Sequence, residues 1–370
     1  MEMLVGFLPR PSDAARKLLH SNDKPRQVLF LRYEKIGDLL LATSAIRAIA
    51  ESSPHTVVDV LSSPESAPVL RGNPFVRHVH VFDRNKPWRW PRLWRRFARE
   101  KYDIVVDGRI NHERSFGTTP LILLMTGARV RIGAQGEGRE RVYTETVSVD
   151  PHAHFAAQSV SVVSPFGIDP AKLDLKPLIF LDPDERRAGA ERWLELSPRD
   201  DSIRLLVNVS SGGPRRYWPN ERYVAVIRDV SARFPHAVIR VIGLPDEAEK
   251  IKSICAASHA VYTPTKDIRE ASAIVASADL VFTPDTAISH IAAALGVPVV
   301  VMMTSVPESR MVYSPDAFKP IGANAYVVRC SAPRLAELDA EAVCETLATA
   351  MAQFEPAASA RSDTPQNHSA

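Results

Sequence analysis

Several features that mark whole classes of protein are scarce or missing in this sequence. Only three of its 370 residues are cysteine, Cys255, Cys330 and Cys344, and they lie far apart with no Cys-x-x-Cys pair. That disfavours a disulfide framework or a structural zinc site and fits a reducing cytoplasm. Long hydrophobic runs are lacking too. The stretch Met3 to Leu8 is broken by Pro9, Arg10 and Pro11, too short for a signal h-region, and no segment reaches the length of about 20 apolar residues that crosses a bilayer. A soluble, cytoplasmic protein is the expectation. Neither sign of charge dominates: 46 Lys and Arg face 43 Asp and Glu, a net of +3, so no nucleic-acid partner is expected. The first strand-to-helix turn reads Tyr33-Glu-Lys-Ile-Gly-Asp38 rather than G-x-G-x-x-G, which argues against a dinucleotide-dependent oxidoreductase.

What is present is a chain that can build large cores, with 45% hydrophobic residues, at a length that suggests two domains. Short apolar runs at Val28 to Arg32, Val57 to Leu61, His78 to Phe82 and Asp103 to Val106 alternate with helical stretches, among them Asp38 to Arg47. This is the rhythm of a parallel sheet covered by helices. After the charged segment Asp182 to Ser202, with a helical stretch around Glu185 to Leu196, the rhythm restarts at Arg204 to Val209. It continues at Val238 to Ile242, Asp279 to Phe282 and Pro298 to Met302. The expected organisation is therefore α/β, with an N-terminal extension over 1–27, a doubly wound domain over 28–181, a second over 182–355 and a disordered tail over 356–370. Two such domains imply a cleft, with the segments around Asp38 and Asp285 on opposite walls.

Four stretches carry chemistry. In Asp279-Leu-Val-Phe-Thr-Pro-Asp285-Thr286-Ala287-Ile-Ser-His290 a buried strand turns into a helix, and Asp285 or Thr286 would cap it and leave backbone N–H groups for a phosphate. Thr286 and His290, one turn apart, can share a face, although a D-T-x-x-x-H can equally be a cap with a buried histidine. Asn208-Val-Ser210-Ser211-Gly-Gly-Pro-Arg-Arg216 combines a loop that backbone can bring close to phosphate with a planar guanidinium, or is an ordinary exposed turn. Glu247 lies at the end of another strand, where it can grip ribose hydroxyls or only favour a helix start. In the first half, Gly37 allows close approach beside Asp38, which can serve as a general base toward a hydroxyl or as a helix cap.

Taken together, Lys35-Ile-Gly-Asp38-Leu-Leu-Leu-Ala-Thr-Ser-Ala-Ile-Arg, Arg216-Tyr-Trp-Pro219 and Asp285-Thr-Ala-Ile-Ser-His290-Ile-Ala-Ala-Ala-Leu-Gly-Val-Pro298 resemble glycosyltransferase family nine, the ADP-heptose:lipopolysaccharide heptosyltransferases, over about Val28 to Cys344. The resemblance implies a GT-B fold of two Rossmann-like domains facing each other across a cleft. It implies inverting, metal-independent transfer from a nucleotide-sugar donor, an ADP-heptose, to a lipopolysaccharide-core or related glycan acceptor, without a cofactor. On it, Asp38 falls on the catalytic base, Arg216 where the family usually has a phosphate-contacting lysine, Asp285, Thr286 and His290 on the donor motif, and Glu247 on a ribose-holding carboxylate. Ser210 and Ser211 join the donor side. The sequence departs from the family at Ala287, where glycine is common, which bears on the identity of the sugar, and at Ser44, where proline is common. A different nucleotide-sugar enzyme, such as one using another donor or an epimerase, and a catalytically silent sugar-nucleotide-binding protein are the competing readings.

A last segment, Arg84 to Lys101, is dense in arginine and tryptophan, with Trp90, Trp94 and Phe97 at helical spacing. It reads either as a surface helix whose aromatics join the core, or as one that brings Arg92, Arg95 and Arg96 to a phosphorylated acceptor or an anionic membrane.

Overall fold

Runs of four to seven residues rich in Val, Ile and Leu, buried on both faces, pair as parallel strands whose outer faces must be covered by helices. The computed structural model describes residues 19, 26–110, 118–195, 202–306, 315–322 and 324–354, and the chain divides into two compact units, Met1–Phe180 and Leu181–Ala370. The tail expected over 356–370, and the N-terminal extension apart from Leu19, Arg26 and Gln27, lie outside the described residues.

In the first unit the elements run β1 (Arg26–Leu31), α1 (Ile36–Leu41), α2 (Thr43–Glu51), β2 (Thr56–Ser62), β3 (His78–Val81), α3 (Trp90–Glu100), β4 (Ile104–Asp107), α4 (Thr119–Thr126), β5 (Val130–Ala134), β6 (Glu145–Val147) and α5 (Phe155–Ser161). The strands form one sheet in the order β3-β2-β1-β4-β5-β6, and every pair in it is parallel. The single helix expected over Asp38 to Arg47 is instead two, meeting at Ala42. Thr43 accounts for the break: its hydroxyl donates to Leu40 O at 2.6 Å and accepts from Leu178 N at 2.8 Å, and hydroxyl back-bonding of this kind bends helices.

The second unit runs α6 (Pro183–Leu194), β7 (Ile203–Asn208), α7 (Asn220–Arg233), β8 (Ala237–Ile242), α8 (Ala248–Ser258), β9 (Val261–Tyr262), α9 (Ile268–Val275), β10 (Leu280–Pro284), α10 (Ala287–Leu295), β11 (Val299–Thr304), β12 (Ala325–Cys330) and α11 (Ala340–Met351). Asp182 opens α6 in a capping box with Glu185, each accepting from the other's backbone N–H, which satisfies two donors that the helix itself leaves unpaired. The sheet order is β12-β11-β10-β7-β8-β9. Numbered from β7, this is the strand order of the first unit. A second core of Leu205, Val207, Trp218, Tyr223, Phe282 and their neighbours fills it. All three cysteines are free thiols, and burial pushes the Cys255 thiol up to about 11.

Candidate active site

In a doubly wound sheet the helices following the two central strands lie on opposite faces, so their loops part and leave a crevice at the carboxyl ends of those strands. In the second unit these strands are β7 and β10, paired through Leu205↔Leu280, Leu206↔Val281 and Val207↔Phe282. The loops that leave them hold nearly all of the expected donor residues.

Asn208, at the end of β7, ties the two loops together. Its Nδ2 donates to Thr283 Oγ1 at 2.9 Å, to Thr286 Oγ1 at 3.2 Å and to Ser210 O at 3.4 Å, while its Oδ1 accepts from Ser210 N at 3.3 Å. A buried amide at this point leaves no slack in the Ser210 turn or in the helix start. Thr286 is the cap of α10, accepting from Ile288 N at 3.3 Å. Asp285 therefore does not cap. Its carboxylate pairs with Arg216 at 3.0 Å and its N–H donates to Met302 O. Ala287 is the first residue of the helix and half-buried, Ser211 is half-buried, and His290 is buried in the interior of the unit.

The two adjacent arginines of the loop have different tasks. Arg215 is tied down by Pro333 O and Val306 O, both at 3.0 Å. Arg216, about one-third exposed, keeps part of its fork open beside Asp285. Glu247 belongs to a second group: it accepts from the Ser210 hydroxyl, from Leu244 N at 3.3 Å and from Lys250 Nζ at 3.1 Å. Gly243 is needed here, because a Cβ would stand 2.8 Å from Ser210 Oγ and 2.7 Å from Ile251 Cδ1.

The first unit has its own crevice, between the loops after β1 and β4. Asp38 is the third residue of α1, whose capping position is Lys35, with no side-chain cap, so the helix-cap alternative for Asp38 does not hold. The Asp38 carboxylate, within the first turn where the helix dipole favours it, pairs with Arg32 Nη2 at 3.2 Å. Arg32 is buried, donates to Gly108 O at 2.9 Å, meets Glu34 at 3.4 Å and stacks over Phe155 at 4.8 Å. The last residue of an apolar strand run, it went unread in the sequence as a partner of Asp38. Gly108 packs directly against β1: a Cβ there would lie 2.3 Å from the Phe30 ring.

Beside it stands a group that the motifs did not indicate. Asp107 ends β4 and accepts from Arg109 Nε at 3.0 Å and Nη2 at 3.1 Å and from the Tyr143 hydroxyl at 2.6 Å. Burial, and then the Asp107 charge, hold the Tyr143 phenol well above its ordinary value, so it remains a donor. Arg84 and Arg109 both lie against Tyr33, at 4.9 and 4.6 Å from the ring centroid. Nothing in sequence spacing joins residues 33, 84, 107 and 109; only the strand order does.

The one group of three close metal-ligand atoms among the described residues, on Asp59, His78 and Glu100, is already supplied with positive charge by Arg77. Arg77 donates to both oxygens of Asp59, at 3.0 and 2.7 Å, and to Glu100 at 2.7 Å. Burial works against the Asp59 charge, but hydrogen bonds from His80, Arg77 and Tyr102 outweigh it and hold the carboxyl well below the usual range.

On α3, Arg92, Arg95 and Arg96 are all exposed. Trp94 does not join the core with Trp90 and Phe97. Trp90 stacks on Phe82, Phe97 packs on His80, and Trp94 stays 56% exposed. The inward stripe is Trp90, Leu93 and Phe97, the i, i+3, i+7 set, and Trp94 falls at its rim.

Two parallel-sheet units of one strand order, each with its polar groups gathered where the order reverses, define a GT-B type protein. The similarities agree. Solved structures of a glycosyl transferase family 9 protein from Veillonella parvula (TM-score 0.74, 17% identity, 90% of this chain and 99% of that one) and of ADP-heptose lps heptosyltransferase II from E. coli (TM-score 0.70, 18% identity, 89% and 99%) have this fold. In sequence, the lipopolysaccharide core heptosyltransferase OpsX of Haemophilus influenzae is 22% identical over 288 residues, 75% of this chain and 79% of that one. Residues 90–347 match glycosyltransferase family 9 (heptosyltransferase), and the chain belongs to that family. It is a glycosyltransferase.

Proposed function

We propose that this enzyme moves a heptose from an ADP-sugar to a lipopolysaccharide-core acceptor, with inversion and without a metal. The observation that carries the reading is the chemical contrast between the two crevices. The first presents a carboxylate, Asp38, held by Arg32; the second presents a half-open guanidinium, Arg216, beside a helix start capped by Thr286. A carboxylate can take the proton of an attacking hydroxyl. Guanidinium and helix N–H groups stabilise negative charge growing on a leaving diphosphate.

In the reaction the acceptor oxygen bonds to the anomeric carbon as the bond from that carbon to the ADP oxygen breaks, and the acceptor proton passes to Asp38. One displacement inverts the configuration. Arg216 stands in for the charge that a metal supplies elsewhere, and Glu247, anchored by Ser210 and Lys250, is the carboxylate for the ribose. The donor and acceptor are those for which the relatives are named, ADP-heptose and the lipopolysaccharide core.

The test is a ligand series read by thermal shift, with ADP, UDP, GDP, CMP and NAD, since a ligand that binds the folded state raises its apparent stability. ADP should shift the transition most. A larger shift with UDP or GDP sinks the donor assignment, and transfer lost on chelation but restored by a divalent cation sinks the metal-independent mechanism.

A further inference from the structure

We propose that the outward side of α3, with the turn before it, is a docking surface for an anionic lipid bilayer. Between Arg84 and Lys101 the chain carries eight basic residues and one acidic residue, Glu100, and Glu100 is bound to Arg77 at 2.7 Å. Lys86 pairs with Asp83 at 3.3 Å. Arg89, Arg92, Arg95, Arg96 and Arg99 are exposed and have no ion-pair partner among the described residues. At roughly 100° per residue, Arg92, Arg95 and Arg99 fall on the side of the helix opposite Trp90, Leu93 and Phe97. Pro91 and Ala98 lie between this row and Trp94, and Arg96 flanks it on the other side.

The apolar face of this helix is already used. Trp90 stacks on Phe82 with ring centroids 5.2 Å apart and donates through Nε1 to Asp83 O at 3.1 Å, while Phe97 is fully buried. An amphipathic helix that lies in a membrane inserts such a face; α3 has none to spare, so attachment must come from its charged side. Two indoles at its edge, Trp88 and Trp94, stay 69% and 56% exposed. That is costly for rings of this size in water and suited to the headgroup layer, where tryptophan concentrates. A row of arginines along one helix face matches a plane of anionic headgroups, and each basic residue near such a surface strengthens attachment about fivefold. A single nucleic-acid strand would instead need exposed rings set between the cations as stacking platforms; here the exposed ring of the helix, Trp94, lies at the side of the arginine row, roughly 100° round the helix from Arg95, and Trp90 and Phe97 point inward.

Flotation of the full chain with phosphatidylcholine vesicles, with and without phosphatidylglycerol, tests this. The protein should float only with phosphatidylglycerol and detach at high salt. Arg92→Glu, Arg95→Glu and Arg99→Glu together should lower partitioning at least on the order of a hundredfold, the three lysine replacements should float as the parent does, and Trp88→Ala with Trp94→Ala should bind several-fold more weakly. If the glutamate variant melts early, the lysine variant and the salt titration decide. Equal flotation with pure phosphatidylcholine, no flotation at all, or flotation of the folded glutamate variant overturns the proposal. So does tighter binding to a single-stranded oligonucleotide than to anionic vesicles. None of these outcomes depends on sugar transfer, so docking and the proposed activity fail separately.

Discussion

The two units have the same strand order, yet they fill the same topological position with opposite kinds of group. Where β1 and β4 end, carboxylates and guanidiniums pair off, Arg32 with Asp38 and Arg109 with Asp107, and two arginines lie against Tyr33. Where β7 and β10 end, neutral groups do most of the fixing: Asn208, Thr283, Thr286 and Ser210 bond to one another, and Arg216 with Asp285 is the charged pair. A doubly wound sheet supplies the place for a site and says nothing of its chemistry. The first crevice holds a carboxylate in position, and the second sets a guanidinium beside a capped helix start, which is what the proposed division of roles requires.

Breaking each crevice separately should give different kinetic signatures. The largest loss is expected from Asp38→Asn, on the order of 10²–10⁴-fold in kcat, with ADP still raising the melting temperature as in the parent. Near-normal turnover would remove Asp38 as the base. Next is Asp59→Asn, which separates charge that holds the first unit together from charge that acts. Removing one partner of a buried pair costs about 3 kcal/mol or more, so the variant should melt early, while any protein still folded turns over normally. The pH sign follows: the folded-state carboxyl is held below its unfolded value. Its contribution is therefore full above about pH 4 and is lost as pH falls from there toward the folded value. The parent should lose stability in acid more steeply than the variant, as two melting curves across pH would show.

Arg216→Ala should cost about 10²–10³-fold in kcat/KM, the scale of losing one preorganised donor to an oxyanion, with Lys restoring part of it because charge survives but the fork does not. A loss confined to KM for the acceptor would place this residue on the wrong substrate. A smaller effect is expected from Arg32→Lys. It keeps the charge beside Asp38 but loses the simultaneous grip on Gly108 O and the Phe155 face, so kcat should fall about tenfold with donor and acceptor KM unchanged. Loss of folding, with no kinetic defect in the fraction that remains folded, would make Arg32 a core residue only.

The apolar runs made most of the sheet legible from sequence. Val57 to Leu61 became β2 at Thr56–Ser62, and Arg204 to Val209 became β7 at Ile203–Asn208. Four strands went unread: β12, whose run Ala325-Tyr-Val-Val328 is as apolar as those that were read, and β5, β6 and β9, whose patterns are weak or short. β5 carries the buried Arg131 in its middle, satisfied by Val142 O and Ala128 O from outside the strand, and β9 is only two residues long. In the site, the helix start that carries Asp38 and the loops that carry Arg216 and Asp285 could be read from turn chemistry. Their partners could not, because Arg32 looked like the end of a strand and Asn208 like the start of a turn. Asp107 and Arg109 gain their position from the pairing of β1 with β4, a contact between residues far apart in the chain.

The smallest expected effect tests how closely the second crevice fits its sugar. Ala287 opens α10 immediately after the Thr286 cap and is half-buried, and in the proposed donor site its methyl would stand beside the sugar. Glycine there loses a methyl and costs the helix little, since its first residue is already at the frayed end. A methyl in contact with a substrate is worth about 1–3 kcal/mol in discrimination, so Ala287→Gly should raise kcat/KM for an ADP-heptose relative to an ADP-hexose by about tenfold, with kcat for the hexose unchanged. A ratio that stays constant would show that the methyl does not face the sugar, and the choice of donor would then rest on groups around Glu247 or on the acceptor unit instead.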